Sequence, residues 1–255
     1  MSSSQKHELA GKRIIVTGAG LAGLAFACAI DQYWPVQHPK PQVVIYERSA
    51  KELDRSHAGY TMGIRAESGL LALKQLGLLD NALQASTVGT NGADKAPTFW
   101  SSDWKTMFDP SSFAMFNEFE DGMPKSGIRL VRYVLRDMLL NALSVGTEVH
   151  WGNGCHATRI LPDGRTQIEL ADGSTDEADL LVAADGSNSK VRIMLLPEEK
   201  LEYTGAVCFL GTSRFPDGKP ELLAHKWGMT ISGKGVPFLT LYVLFKLGSV
   251  LERHV

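Results

Sequence analysis

The sequence has few of the features that mark disulfide-rich, metal-binding or membrane proteins. It contains only three cysteines, Cys28, Cys155 and Cys208, and none of them forms the C-x-x-C spacing of a zinc or redox site. We therefore expect no metal site, and buried, reduced thiols in an intracellular protein.

Long hydrophobic runs and an excess of one charge are also missing. The apolar stretch at residues 236–245 is about half the length that a membrane-spanning helix needs. The polar amino-terminal residues are not followed by the apolar segment that a signal peptide contains. Lysine and arginine total 26 against 28 acidic residues, and this net charge of −2 gives no general attraction to nucleic acid. We expect a cytoplasmic protein with no membrane span and no nucleic-acid partner.

A β-α-β pattern is present near the amino terminus. Residues 13–17 are a β-branched run, residues 21–33 have the small side chains of a close-packed helix, and residues 43–46 form a second apolar strand. The unit spans about 35 residues, which is the length expected of a parallel crossover. The pattern predicts a Rossmann-like α/β domain.

The turn between the first strand and the helix matches G-x-G-x-x-G through Gly18, Gly20 and Gly23. In such turns the first glycine allows the tight bend, the second lets the backbone approach a pyrophosphate, and the third lets the helix pack on the strand. Glu47 ends the next strand 47 − 23 = 24 residues later, where an acid accepts hydrogen bonds from an adenosine ribose and repels a 2′-phosphate. The pattern indicates FAD or NAD rather than NADP. The alternative is a glycine-rich packing turn without a ligand.

A second dinucleotide pattern fits less well. Thr17-Gly18 could open the T-G-x-x-x-G-x-G turn of short-chain dehydrogenases, and Tyr242 and Lys246 have the Y-x-x-x-K spacing. However, Ala22 and Leu24 stand where that turn needs glycine, and the tyrosine lies too close to the carboxyl terminus. This pattern therefore does not favour a short-chain dehydrogenase.

Apolar spacing along the rest of the chain predicts both helices and strands. Helices are expected at residues 67–79 and 130–143, and short antiparallel strands or loop at 97–119. Further strands are expected at residues 148–151, 157–161, 166–170 and 179–184, followed by a separate antiparallel sheet with strands at 206–210, 230–232 and 238–243.

These segments together resemble the FAD-dependent aromatic-ring hydroxylases, the para-hydroxybenzoate hydroxylase-like flavoprotein monooxygenases. Besides the glycine turn, the likeness rests on V-I-Y-E-R ending at Glu47 and Arg48, and on an R-x-x-L-x-x-x-L helix start led by Arg132. It also rests on the Asp185-Gly186 fingerprint that ends a strand. The resemblance extends over about residues 12–195.

The resemblance implies an α/β fold with a Rossmann-like FAD-binding domain at residues 1–200, short strands inserted around 95–120, and a partial antiparallel substrate-domain sheet at 201–255. It also implies a set of cofactor-binding residues. These are Gly18, Gly20 and Gly23 at the pyrophosphate, Glu47 and Arg48 at the ribose, Gly59 in a loop near the flavin, Arg132 at the ribityl and phosphate region, and Asp185 and Gly186 at FAD and NAD(P)H. Alternatively, Arg48 could be a solvated surface residue, and so could Arg136, which lies in the helix start led by Arg132. Asp185 could be an ordinary turn residue.

The activity implied by the resemblance is monooxygenation of an aromatic or polycyclic small molecule. NAD(P)H as co-substrate reduces FAD, O₂ adds to give a C4a-hydroperoxide, and one oxygen atom passes to the substrate. The polar residues His57, Arg65, Tyr203 and His225 could serve this chemistry, but no motif assigns a catalytic role to any of them.

One fingerprint of the family is missing. The dipeptide Gly-Asp, whose aspartate contacts the ribityl chain in the family, occurs nowhere in the sequence. Two alternatives therefore stay open: a truncated FAD-binding homologue without catalysis, and an FAD-dependent reductase of related fold.

Overall fold

The β-α-β unit forms as predicted. In the computed structural model, strand β1 (Arg13–Thr17) leads through helix α1 (Leu21–Tyr33) to strand β2 (Gln42–Glu47), and the two strands pair in parallel. The structure describes residues 7–52, 61–86, 98–109, 119–120, 122–125, 127–205, 228–231 and 237–240. The candidate residue Gly59 and the strand predicted at 206–210 lie outside these ranges.

The remaining elements follow along the chain. The strands are β3 (Thr61–Ile64), β4 (Thr98–Ser101), β5 (Thr106–Phe108), β6 (Phe119–Glu120), β7 (Met123–Pro124), β8 (Ile128–Val131), β9 (Glu148–Trp151), β10 (Cys155–Ile160), β11 (Thr166–Leu170), β12 (Thr175–Ala178), β13 (Leu180–Ala183), β14 (Gly228–Ile231) and β15 (Pro237–Thr240). The helices are a π-helical turn (Ala66–Leu70), α2 (Leu71–Gln75), α3 (Leu79–Ala85), α4 (Arg132–Asn141) and α5 (Lys190–Leu195). No helix in the described ranges is long and apolar enough to cross a membrane.

The chain divides into two compact units. The first comprises Met1–Ala58 and Leu135–Phe209, and the second comprises Gly59–Val134 and Leu210–Val255. Helix α4 begins in the second unit and continues in the first. The assignment of residues 1–200 to cofactor and 201–255 to substrate stays a prediction.

A four-stranded parallel sheet forms the centre of the first unit. Its strand order is β13-β1-β2-β9, and each neighbouring pair is parallel. Residues 14–16 of β1 are fully buried, as expected of a strand that is covered on both faces. This arrangement brings the carboxyl ends of four strands to one edge.

A smaller antiparallel sheet, ordered β10-β11-β12, covers one face of the parallel sheet. Ile168, Leu170 and Ala178 from the smaller sheet form one apolar cluster with Ile15, Val44 and Tyr46. The sequence predicted strands at the positions of β10 and β11 but not β12, because Ala178 is the only apolar residue in the segment Thr-Asp-Glu-Ala.

The second unit contains a sheet of mixed rather than purely antiparallel pairing. Its order is β15-β14-β4-β5, and β14 pairs with β4 in parallel while the other two pairs are antiparallel. Gly228 lies so close to β4 that a Cβ atom on it would be 1.8 Å from the Thr98 carbonyl oxygen. A strand pattern cannot reveal the pairing of β14 with β4, because the two segments are distant in sequence. The α/β fold class itself is confirmed.

The prediction of one continuous helix at residues 67–79 is wrong. It is divided into the π-helical turn, α2 and the start of α3. Gly77 has φ +69°, and the Leu78 N–H donates to the Leu73 carbonyl at 2.8 Å, which is a glycine C-cap. The apolar spacing continues through this break, and for that reason it suggested one helix. Strand β8 likewise occupies the start of the helix predicted at 130–143.

Candidate dinucleotide-binding site

Three of the predicted segments meet at the carboxyl edge of the parallel sheet. Gly18 follows β1, Glu47 ends β2, and Asp185 lies just beyond β13. The Gly18 N–H donates to the Tyr46 carbonyl at 2.8 Å, and the Ala184 N–H donates to the Thr17 carbonyl at 2.9 Å. In open α/β sheets, ligands bind outside this edge.

Two of the three glycines are required by the protein itself. Gly18 has φ +104°, and a Cβ atom there would lie 2.5 Å from the Ala184 carbonyl oxygen. A Cβ atom on Gly23 would lie 2.0 Å from the Gly18 carbonyl oxygen and 3.0 Å from Val16 Cγ1. Gly18 thus permits the turn, and Gly23 permits close packing of α1 on β1, as the sequence predicted.

Gly20 is different, because none of the described residues requires a glycine there. Its φ of −79° suits any residue, and a Cβ atom on it would meet no atom of the described residues within 4 Å. Gly20 caps α1, whose first turn contains no acidic residue, and the N–H groups of that turn have no partner within the helix. An open backbone surface with a positive helix end fits a pyrophosphate.

Glu47 holds the glycine turn. The carboxylate accepts the Ala19 N–H at Oε2 (2.7 Å) and the Ser49 N–H at Oε1 (2.8 Å), and the residue is only 8% exposed. Each carboxylate oxygen has further acceptor capacity, so these bonds are compatible with the ribose contact. That contact stays a prediction.

Arg136 is buried beneath the same turn, so its interpretation as a solvated surface residue is wrong. The residue is 4% exposed, and its Nε donates to the Ala19 carbonyl at 2.8 Å. Its guanidinium carbon lies 5.0 Å from the centre of the Trp151 ring, within the range of a cation–π contact. Trp151 ends β9 and is in register with Glu47 on β2.

The sequence contains a local signal that Arg136 is buried. Leu135 and Leu139 are one helical turn apart, and Arg136 lies beside them on the same face of α4. All three are buried. An arginine on an apolar face predicts a buried partner, although spacing could not identify that partner as the Ala19 carbonyl.

Asp185 has one carboxylate oxygen explained by the fold and one that is not. Oδ2 accepts the Lys190 N–H at 2.7 Å at the start of α5, where the Ser189 hydroxyl also accepts the Arg192 N–H at 2.9 Å. Oδ1 is buried without a hydrogen-bond partner in the part of the chain that the structure describes. The turn explanation therefore accounts for Oδ2 but not for Oδ1, and the cofactor role of Asp185 stays a prediction. Gly186 has φ +89° within this turn.

Among the described residues, the structure shows no hydrogen bond between the other candidates and the glycine turn. Arg48 is exposed next to Glu47, and Arg132 is the half-buried first residue of α4 in the second unit. Their cofactor roles, like that of Gly59, stay predictions. Arg65 and Tyr203 are exposed and acquire no catalytic role, while His57 and His225 lie outside the described residues. Within the described ranges, no group of His, Cys, Asp and Glu could hold a metal ion.

The two described thiols are inert. The Cys28 Sγ donates to the Leu139 carbonyl at 3.3 Å, and burial raises the pKa of Cys28 to about 11. Burial, with a contribution from the Asp185 charge, also raises the pKa of Cys155 to about 11. Both are free cysteines that stay protonated at neutral pH, which makes them poor nucleophiles.

Comparison with known proteins finds monooxygenases among the relatives. The chain is 40% identical over 245 residues to the monooxygenase cfoF of Aspergillus candidus, covering 91% of the chain and 57% of cfoF. It is 29% identical over 241 residues to the dual O-methyltransferase/FAD-dependent monooxygenase elcB of Phaeosphaeria nodorum, covering 89% of the chain and 23% of elcB. No model of a protein family matches.

The fold agrees with this class. A variant of PqsL from P. aeruginosa superposes with a TM-score of 0.62 at 18% identity, covering 92% of the chain and 58% of PqsL. The chain is homologous to the FAD-dependent monooxygenases, which confirms the family resemblance, and it spans little more than half the length of cfoF.

Proposed function

We propose that this chain binds FAD at the glycine turn and forms the FAD-binding part of an NAD(P)H-linked monooxygenase. The observation that carries the proposal is Gly20. Its backbone conformation suits any residue, and a Cβ atom on it would meet no atom within 4 Å in the part of the chain that the structure describes, so the described fold does not explain why a glycine starts this helix. A ligand that approaches the backbone closely explains this residue.

The residues of the edge divide the cofactor between them. Gly20 and the first turn of α1 would hold the pyrophosphate, since helix N–H groups and the helix dipole favour an anion. The remaining acceptor capacity of Glu47 would receive the ribose hydroxyls, and Asp185 Oδ1 would accept from the bound cofactor. Arg48, Gly59 and Arg132 are proposed as further contacts on the family likeness alone.

The reaction proposed is transfer of one oxygen atom to an aromatic or polycyclic substrate. Substrate, O₂, NAD(P)H and a proton give hydroxylated substrate, water and NAD(P)⁺, with the bound flavin supplying the electron and oxygen transfer. The chain contributes binding and orientation, and no described side chain is assigned a proton-transfer role. The relatives favour neither a reductase nor a non-catalytic homologue.

The test is FAD-dependent oxidation of NADH and NADPH by the purified chain, combined with mass spectrometry of products formed under ¹⁸O₂ from a panel of phenols and polycyclic aromatics. We expect NAD(P)H oxidation that requires FAD, an ¹⁸O-labelled product, and neither with Gly20→Arg, whose side chain fills the open surface. FAD-bound chain that oxidises neither nicotinamide would contradict the proposed reaction.

A further inference from the structure

We infer that Arg136 is a positioning residue, which fixes the backbone of the glycine turn in the orientation that receives the dinucleotide. This inference rests on the proposed FAD site. Its basis is that Arg136 and Glu47 hold Ala19 from both sides: Glu47 accepts the Ala19 N–H, and Arg136 donates to the Ala19 carbonyl.

The turn needs such external support. Ala19 lies between Gly18 and Gly20, and glycine leaves the backbone with the widest conformational choice. Rotation of the peptide between Ala19 and Gly20 meets little local resistance, because Gly20 has no side chain to restrict its φ angle. The orientation of that peptide must therefore be set by contacts on the Ala19 side.

Arg136 sets it directly. A peptide unit is planar and trans, so its carbonyl and its N–H point in opposite directions. The Ala19 carbonyl points to Arg136 Nε at 2.8 Å, and the N–H of Gly20 in the same peptide consequently points away from Arg136. Loss of Arg136 would leave the Ala19 carbonyl buried without this partner. The peptide could then rotate, and the direction of the Gly20 N–H would no longer be fixed.

Trp151 keeps Arg136 in place. The guanidinium carbon lies 5.0 Å from the ring centre, and the register of β9 with β2 places Trp151 beside Glu47. A guanidinium buried at this depth is costly unless its contacts are well formed. Its hydrogen bond to the turn and its contact with the ring are two of these contacts.

The experiment measures backbone order and cofactor affinity separately. Hydrogen–deuterium exchange of peptides covering residues 17–24 is followed in FAD-free protein, and FAD affinity is measured by flavin fluorescence. Arg136→Met is expected to accelerate exchange and to raise the Kd for FAD, each by about tenfold, which corresponds to the loss of one charge-assisted hydrogen bond. If Arg136→Met does not fold, Arg136→Lys is expected to shift both readouts in the same direction by a smaller factor.

The matched control is Leu139→Ala, which also removes a buried side chain from α4. It is expected to lower global stability while leaving exchange at residues 17–24 close to that of the wild type under native conditions. Trp151→Phe, which keeps an aromatic face, is expected to retain wild-type exchange, whereas Trp151→Leu accelerates it.

Wild-type exchange in Arg136→Met, or the same local acceleration in Leu139→Ala, would overturn the inference. Equal exchange in the two Trp151 variants would overturn the part assigned to the ring. A wild-type chain that binds no FAD would instead contradict the proposed function. The exchange measurement needs no FAD, and it decides the role of Arg136 in either case.

Discussion

Glu47 Oε2 accepts a 2.7 Å hydrogen bond from the Ala19 N–H, although 28 positions separate the two residues in sequence. This bond joins the end of β2 to the turn after β1. The acidic residue of the fingerprint therefore holds the glycine turn in addition to the ribose contact proposed for it. A substitution of Glu47 is therefore expected to lower the stability of the chain even when no ligand is bound.

Glu47→Gln is expected to lower the free energy of unfolding by about 1–3 kcal/mol, because an amide cannot accept both backbone N–H groups as the carboxylate does. Urea unfolding of the FAD-free chain measures this change. Glu169→Gln, at an exposed position on β11, is the control and is expected to leave stability within about 0.5 kcal/mol. Equal stability of the two variants would show that Glu47 does not hold the turn.

The glycines of the turn are expected to respond differently to the same added methyl group. Gly23→Ala should destabilise the chain by about 1–3 kcal/mol, because its Cβ atom would overlap the Gly18 carbonyl oxygen. Gly20→Ala should change stability by less than about 1 kcal/mol, since a small entropic gain opposes a weaker helix cap. Thermal or urea unfolding without FAD compares them, and a Gly20→Ala variant as unstable as Gly23→Ala would contradict the open surface.

Tyr46 is expected to make stability depend on alkaline pH. Burial and the 2.8 Å bond to Asp176 raise the pKa of Tyr46 from 10.0 to about 12. The stabilisation is therefore complete below pH 10.0, the pKa expected in the unfolded chain, and is lost as pH rises toward about 12. Tyr46→Phe should cost about 1–2 kcal/mol at neutral pH. Urea unfolding as a function of pH should show this difference narrowing above pH 10.0, and a constant difference would contradict the shift.

Two substitutions of Asp185 are expected to separate its role in helix capping from its role in ligand binding. Asp185→Ala should lower stability by about 1 kcal/mol, because the Lys190 N–H loses its acceptor, while Asp185→Asn retains an acceptor and most of that stability. Both variants should weaken FAD binding, since each changes the buried Oδ1. Unfolding and FAD titration of both variants measure the two effects. Wild-type FAD affinity in both would remove Asp185 from the site.

Local signals in the sequence were enough to predict the β-α-β unit at the amino-terminal end of the first unit. Arg13–Thr17 and Leu21–Tyr33 have the bounds that β-branched and small residues indicated, and Gly18 and Gly23 have the roles that the fingerprint assigns to them. In these segments the chemistry of the residues and their spacing point to the same structure.

Contacts between distant segments could not be predicted in this way. The parallel pairing of β14 with β4, and the bonds of Ala19 to Glu47 and Arg136, depend on where the fold brings separate segments. Gly77 was a local signal that could have divided the helix predicted at 67–79, but the apolar spacing on both sides of it obscured the break.

The most direct test of the account is titration of FAD into the wild-type chain and into Gly20→Ala, followed by flavin fluorescence. We predict saturable binding of one FAD to the wild type, and a Kd raised by at least about tenfold in Gly20→Ala, since the second glycine of the turn admits the pyrophosphate. Equal affinity of the two proteins, or no saturable binding by the wild type, would contradict the assignment of the turn to FAD.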